Sequence, residues 1–526
     1  MPSFDLVDRP WIPCLTVDGR FTELSLRQAL TRPRDVREIV DPAPTVTVAL
    51  HRLLLAVLHR ALNGPRDVDQ WREWWEAGTW DADAVSAYLD RWRHRFDLFA
   101  DERPFYQSYE VLDRYAAPIT KLTHELASPV NPVSLFDHTL PGQLLLTPAQ
   151  AARYLVAHQA FAVGGLVSGV GDEKYADAAP LCKAAVCLAK GESLFRTLML
   201  NLVAYEPEEG KPFEFRGDDR PAWERDQGPK PADRRPDGYL DLLTWQSRRI
   251  LLLPETRPDG THVVPGVVIM KGEQFPDDWE LWQGETMVPF RKVRDRPPFP
   301  LALSEDRALW RDSLALMQTA RARVDESLQP PRLIDWLTEL VEFGAFDRRT
   351  TFPIDIYGLT TDQAAVRFWR HERFPLPAAI LDNQQLVSRV KEILDVAESA
   401  GETLRQAVRD IARATLPDGS RDAANLTAAL GPERSYWPAL EISFYQTVQQ
   451  LADARDDDAS TRRALASWAE HVGDVARRAF DEAIEPLQES PRAFLAIAEH
   501  HRWFTLRLHK TLRVFLDPPV EEVAHG

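Results

Sequence analysis

The chain has 526 residues, 44% of them hydrophobic and 27% charged, and a formal net charge of −17. One hydrophobic core usually stops growing well below that length, so two or more domains are expected, and sixteen tryptophans argue against extensive disorder. The acidic balance is the opposite of the basic footprint of a free-standing DNA binder, which leaves nucleic-acid contact to a local cationic surface or to a subunit of a larger assembly.

The first 60 residues open with WIPCLTV and Asp18-Gly19, which reads as a hairpin. TVTVALHRLLLAVLHRALNG then sets Leu50, Leu53, Leu54, Val57 and Leu58 on one helical stripe that ends at Gly64. A second helix starts at Thr147-Pro148-Ala149-Gln150, where threonine caps, proline occupies the first turn and glutamine closes a capping box; it runs to about Ala162. Glycines crowd at Gly164, Gly165, Gly169 and Gly171, followed by a short strand, AAVCLAKG, and a helix, ESLFRTLMLNLV. Residues 204–240 are rich in proline and charge and read as a long surface excursion. RRILLLPE and THVVPGVVIM read as strands, and ALWRDSLALMQTA as an amphipathic helix. After Pro375 and Pro377 four long amphipathic patterns follow, which suggests an antiparallel bundle. The expected architecture is α+β: a mixed domain over 1–374, a four-helix bundle over 375–516 and a tail over 517–526.

Catalytic and metal motifs are sparse. Cys14, Cys182 and Cys187 form no CxxC pair and meet no matching histidine cluster, so neither a disulfide framework nor a structural zinc site is expected, and a reducing cytoplasm fits best. No run of eighteen apolar residues and no basic leader followed by an apolar stretch occurs, so neither a membrane span nor secretion is expected. His124-Glu125 lacks the second histidine of a zinc protease, and the glycine cluster lacks the Lys-Ser or Lys-Thr of a phosphate-binding loop. Asp137-His138 has no upstream partner pair; it keeps open an alternative reading as a cytoplasmic metal-dependent hydrolase. No cofactor is implied. Clustered glycines admit two readings: a flexible turn ending a helix, or a backbone that approaches another surface closely. MVPFRKVRDR, with Arg291, Lys292, Arg294 and Arg296, is either a solvated face or a phosphate-binding edge.

Several separated stretches resemble the CasA family of type I-E CRISPR proteins. They are FDLVDRPWIPC (4–14), FDLFADERPFYQ (96–107), NPVSLFDHT (131–139), the glycine cluster, GESLFRTLMLNLV (191–203) and the terminal bundle, in family order. The resemblance implies a non-catalytic subunit of the Cascade complex. Such a subunit inspects the motif flanking the target on double-stranded DNA, helps open the duplex for R-loop formation, and recruits a helicase-nuclease, while guide RNA held by other Cascade subunits reads the sequence. It also implies site residues: a glycine loop at Gly164, Gly165, Ser168 and Gly169, a minor-groove cation at Lys292 with Arg291 and Lys271 as alternatives, and a wedge at Gln363 in YGLTTDQAAVRFWRHERF. That stretch resembles a turn and helix bearing the glutamine at its tip. Beside it Asp362 stands where a second amide is usual, with Arg367 or Arg370 as its candidate partner. Val130, Asn131 and Phe136 are implied in anchoring to guide RNA or neighbouring subunits. From spacing alone, Arg405, Arg409 and Arg413 form a cationic helical face suited to the displaced strand or to acidic neighbours, with Arg502, Arg507, Lys510 and Arg513 as a second cluster.

Overall fold

The N-terminal hairpin forms where Asp18-Gly19 directs it. β1 (Ile12–Thr16) pairs antiparallel with β2 (Phe21–Leu24), Gly19 takes φ 82°, and β3 (Val36–Ile39) completes a sheet in the order β2-β1-β3. This computed structural model describes residues 3–111, 115–123, 144–169, 171–214, 217–362, 365–417, 422–454, 457–487 and 491–516. The chain is α+β and divides into two compact units. The first comprises Met1–Glu305, Glu326–Asp347 and Phe352–Leu376; the second Asp306–Asp325, Arg348–Thr351 and Pro377–Gly526. Residues 306–325 and 348–351, which the sequence assigns to the first domain, thus pack within the second unit.

In the first unit α1 (Pro44–Leu62) is buried nearly all round, and it is the one described helix apolar and long enough to cross a bilayer. It ends not on Gly64 but on Asn63, whose φ of 47° is the left-handed conformation that asparagine tolerates. α2 (Pro148–Phe161) carries the expected capping box between Thr147 and Gln150. β7 (Val186–Ala189) and α3 (Leu194–Asn201) follow, the helix capped by Ser193. β8 (Arg248–Thr256) and β9 (His262–Lys271) form a long hairpin, flanked across β9 by β4 (Ala117–Pro118). Two further pieces matter for the site: the two-residue strands β5 (Gly165–Leu166) and β6 (Tyr175–Ala176), and the small sheet of β10 (Phe290–Arg291), β11 (Phe299–Pro300) and β12 (Leu328–Gln329).

Three expectations are corrected. The excursion over 204–240 is on the surface at 217–218, 226–228 and 232–233 but is anchored by residues that pack inward: Trp223, Asp219 and Glu224 are buried. Glu224 is held by two nitrogens of Arg60 and by the Tyr88 hydroxyl at 2.7 Å, and Arg234 binds buried Asp241 and Glu273. ALWRDSLALMQTA is not one helix but a 3-10 turn, Leu309–Asp312, followed by a short helix, Leu314–Met317, with residues 313–319 buried. The Gln318 side chain also accepts from the amides of Val324 and Asp325, which fixes the chain in a turn there. The third is the segment around Gln363. Instead of a turn and helix, β13 (Thr351–Asp362) and β14 (Ala365–Pro377) form a long antiparallel ribbon in a sheet of order β14-β13-β7. Alternating β-branched and aromatic residues in DIYGLTT and VRFWRHERF account for the strand.

The second unit holds four long helices, α4 (Gln384–Thr415), α5 (Glu433–Ala454), α6 (Asp458–Ile484) and α7 (Pro491–Leu516), with a short additional helix at Ala423–Leu430. Its core combines aliphatic side chains such as Ile393, Leu404 and Ile411 with buried Trp468, Phe444, Tyr436 and Phe480, and Phe480 stacks on Phe504 at 4.5 Å.

Candidate nucleic-acid interface

Where α2 ends, the chain makes a small hairpin, β5 against β6, in the register Gly165↔Ala176 and Leu166↔Tyr175. The glycines are required first by the protein itself. A Cβ on Gly164 would lie 2.8 Å from the Ala178 amide nitrogen, one on Gly169 would lie 2.7 Å from the Glu173 carbonyl oxygen, and Gly165 adopts φ 137°. Both legs of the hairpin are clamped by one side chain. Arg248, 1% exposed, donates to the carbonyls of Val163 at 3.0 Å and Asp177 at 2.6 Å as well as to that of Ser247. Burial pulls the Arg248 pKa down to about 10, which leaves it charged at neutral pH. Gln274 accepts from the Asp177 amide at 2.6 Å, and Arg249 joins Glu173 at 2.6 Å to the Lys271 carbonyl at 2.8 Å. Ser168 donates its amide to the Ile269 carbonyl at 3.2 Å, so the loop runs beside the end of β9 that terminates in Lys271.

Among the described residues, the β13–β14 ribbon pairs with β7 at Ile354–Tyr357. Residues 358–362 continue past that pairing, about 16 Å of strand at the usual rise. Asp355 braces the ribbon's base: it accepts from two nitrogens of Arg373 at 2.6 and 3.0 Å and from the Tyr357 hydroxyl at 3.1 Å, and lies 3.1 Å from His371 Nε2. Burial alone would raise its pKa, but hydrogen bonds from His371 and Arg373 outweigh that and hold the carboxyl well below its usual range. Gln363 and the side chain of Asp362 lie outside the described residues. Arg370, a candidate partner of Asp362, is paired to Glu372 at 2.8 Å.

The cation candidates separate. Lys292 is exposed in the connection between β10 and β11, its amide bonded to the Ser327 carbonyl, and Arg291 sits in β10 itself. Lys271, by contrast, follows Met270, the residue bridged to Ser168. In the second unit Arg405, Arg409 and Arg413 are exposed on α4, with Arg405 next to Glu402 and Glu433 and Arg413 3.7 Å from Asp410. Val130, Asn131, Phe136, Asp137 and His138 lie outside the described residues.

The family model for CRISPR-associated protein Cse1 matches residues 5–479. The chain belongs to the Cse1 family. A Thermus thermophilus CasA/Cse1 protein is 34% identical over 517 residues, covering 91% of this chain and 96% of that protein. The structure of Thermus thermophilus CasA (Cse1) superposes at a TM-score of 0.80 with 30% identity, over 97% of this chain and 100% of that one. At 22% identity and a TM-score of 0.74, a chain in a CRISPR RNA-guided surveillance complex shares the fold, over 96% of this chain and 100% of that one.

For a Cse1-family chain, what sequence reasoning missed is the support of the loop. Arg248 and Gln274 have no motif of their own; the available signal was the Arg248-Arg249 pair at the head of an apolar strand, a place where two charges are otherwise unwelcome. Among the described residues no group of three or more His, Cys, Asp or Glu is placed to hold a metal ion.

Proposed function

We propose that this Cse1-family chain is the non-catalytic large subunit of a type I-E surveillance complex, bound to guide RNA and other Cascade subunits. In that complex it reads the flanking motif on duplex DNA, starts strand opening and presents the opened target to a helicase-nuclease. The observation that carries the reading is the glycine hairpin held rigid by Arg248 beside Lys271, a preformed backbone edge with a cation at its side. Such an edge suits the minor groove, whose donor and acceptor pattern is degenerate, so several flanking motifs should be accepted. Lys271 is favoured over Lys292 and Arg291 as the groove cation because it adjoins the loop. Gln363, which follows β13 and precedes β14 in the sequence, acts as the wedge beneath the motif and offsets an unstacking cost of a few kcal/mol as the guide begins to pair. The −17 charge accords with a local interface inside an assembly: the isolated chain should bind DNA weakly.

The test is duplex binding and opening by the assembled guide complex with the wild-type chain, Gln363→Ala, Lys271→Ala and Gly165→Asp, on targets with and without a permissive motif. All variants should assemble, and all three should lose motif-dependent opening. Unchanged opening in every variant removes the site assignment, and failure of the wild-type chain to join the guide complex removes the function.

A further inference from the structure

Two of the most exposed apolar side chains in the first unit are neighbours on one face of the glycine hairpin. Leu166 is 86% exposed and Tyr175 is 58% exposed, and they stand opposite each other in the β5–β6 register. The adjacent rung pairs Gly165 with Ala176, which is wholly buried. Strand residues alternate faces. The hairpin therefore has an inner face packed on the protein and an outer face that offers a leucine and a tyrosine to whatever lies outside. Leaving such groups in water forgoes the stabilisation that apolar side chains gain on burial, yet the hairpin is not free to fold them away. Its two legs are held by Arg248, its connection by Ser168 on Ile269, and its second leg by Gln274.

The size and setting of the pair indicate its occupant. A stable protein interface needs on the order of 800 Å² from each partner, and the other exposed described residues of the hairpin and its flank, Gly171, Lys174, Asp177 and Ala178, supply no further large apolar surface. Two apolar side chains on a rigid support do match the wedges that minor-groove proteins insert at a base step. Exposed Lys174, next in sequence to Tyr175, is available to a phosphate, while Glu173 is neutralised by Arg249. We propose that Leu166 and Tyr175 form an apolar wedge that enters the minor groove of the flanking duplex and partly unstacks a base step before any guide pairing begins. The proposal rests on the reading that the duplex meets this loop, and it adds a second, earlier point of deformation to the one assigned to Gln363.

The experiment uses the assembled guide complex and a duplex with a permissive motif and 2-aminopurine at the adjacent step. The guide is mismatched throughout the seed, so no hybrid forms. Wild-type binding should raise the fluorescence of the unstacked base. Leu166→Ser/Tyr175→Ser should abolish that rise and weaken duplex binding about tenfold, whereas Leu166→Phe should preserve both. The proposal is overturned if the double variant raises fluorescence as wild type does, or if it fails to enter the complex, which would make the pair a protein contact. If the double variant behaves as wild type while Gly165→Asp loses motif-dependent binding, the wedge alone falls. If the wild-type complex shows no motif dependence, the function proposed above falls with it.

Discussion

The two units are held together by different physics. In the first, charged side chains distant in sequence meet in the interior. Arg52 on α1 donates two hydrogen bonds of 2.9 Å to Glu285, 233 residues away, with both side chains nearly inaccessible, and Arg60 reaches Glu224 across 164 residues. In the second, the helices bury aromatic and aliphatic faces, and many charge pairs are local and exposed, such as Arg389–Glu392, Lys391–Asp395 and Arg477–Asp474. The cluster of Arg307 and Arg311 on Glu398 is its long-range counterexample. A buried pair stabilises little when complete but is costly to break, whereas an exposed i,i+3 or i,i+4 pair contributes a few tenths of a kcal/mol either way. The first unit should therefore be sensitive to single charges and the second to volume.

That contrast can be broken at three sites of decreasing effect. Glu285→Ala leaves the Arg52 guanidinium buried without its carboxylate, and should cost about 3–5 kcal/mol, read as a lower midpoint for the first unit in urea unfolding; a loss below about 1 kcal/mol would mean water reaches the site. Asp355→Asn should cost about 1.5–3 kcal/mol at neutral pH, since it weakens hydrogen bonds from charged groups. Its pH dependence has a definite sign. The folded-state pKa lies below the unfolded value of about 3.8, so the contribution is complete above that value and disappears as pH falls further. The variant should unfold with a flatter acid limb below about pH 4 than wild type, and an unchanged limb would remove Asp355 from the account. In the bundle, Gly401→Ala sets a Cβ 2.7 Å from Trp437 Cζ2 and 3.0 Å from Tyr436 Cε1. Trp437 cannot retreat easily, as Arg311 lies 3.5 Å over its ring and its indole N–H is bonded to Glu433. Overpacking should outweigh the helix-propensity gain and cost about 1–2 kcal/mol by thermal unfolding.

The same contrast explains what was legible in the sequence. The bundle helices, the capping box at Thr147 and the β8–β9 hairpin are written in local periodicity and local turn chemistry, so a window of about fifteen residues carries them. The segment over 204–240 reads as solvent-exposed chain because its arginines and carboxylates are polar; that Arg60, Tyr88 and Glu273 come from elsewhere to meet them leaves no trace in the segment itself. TTDQAAVRFW carries an aspartate cap signal and an alanine pair, which favour a helix locally, yet Tyr357, His371 and Arg373 converge on Asp355 and β7 offers an edge at Ile354–Tyr357, so tertiary pairing prevails. Glycine clustering marked the loop, while the clamp that gives it shape, Arg248, reaches it from 71 and 85 residues away.

The smallest expected effect on stability is also the one that tests the bundle's part in function. Arg405, Arg409 and Arg413 lie on one exposed face of α4; Arg405 and Arg413 have acidic neighbours, whereas Arg409 forms no ion pair among the described residues. Arg409→Ala should change unfolding free energy by less than about 0.5 kcal/mol. If this face holds the displaced strand, removing one arginine that neutralises a phosphate should reduce the slope of log affinity against log salt by about 0.7 in the opened complex. Arg409, with no carboxylate to compete for it, should then account for more of the slope than either neighbour. A slope unchanged even in the triple alanine variant would make the three arginines solvated surface balanced by Glu402, Glu433 and Asp410, and would confine DNA binding to the first unit.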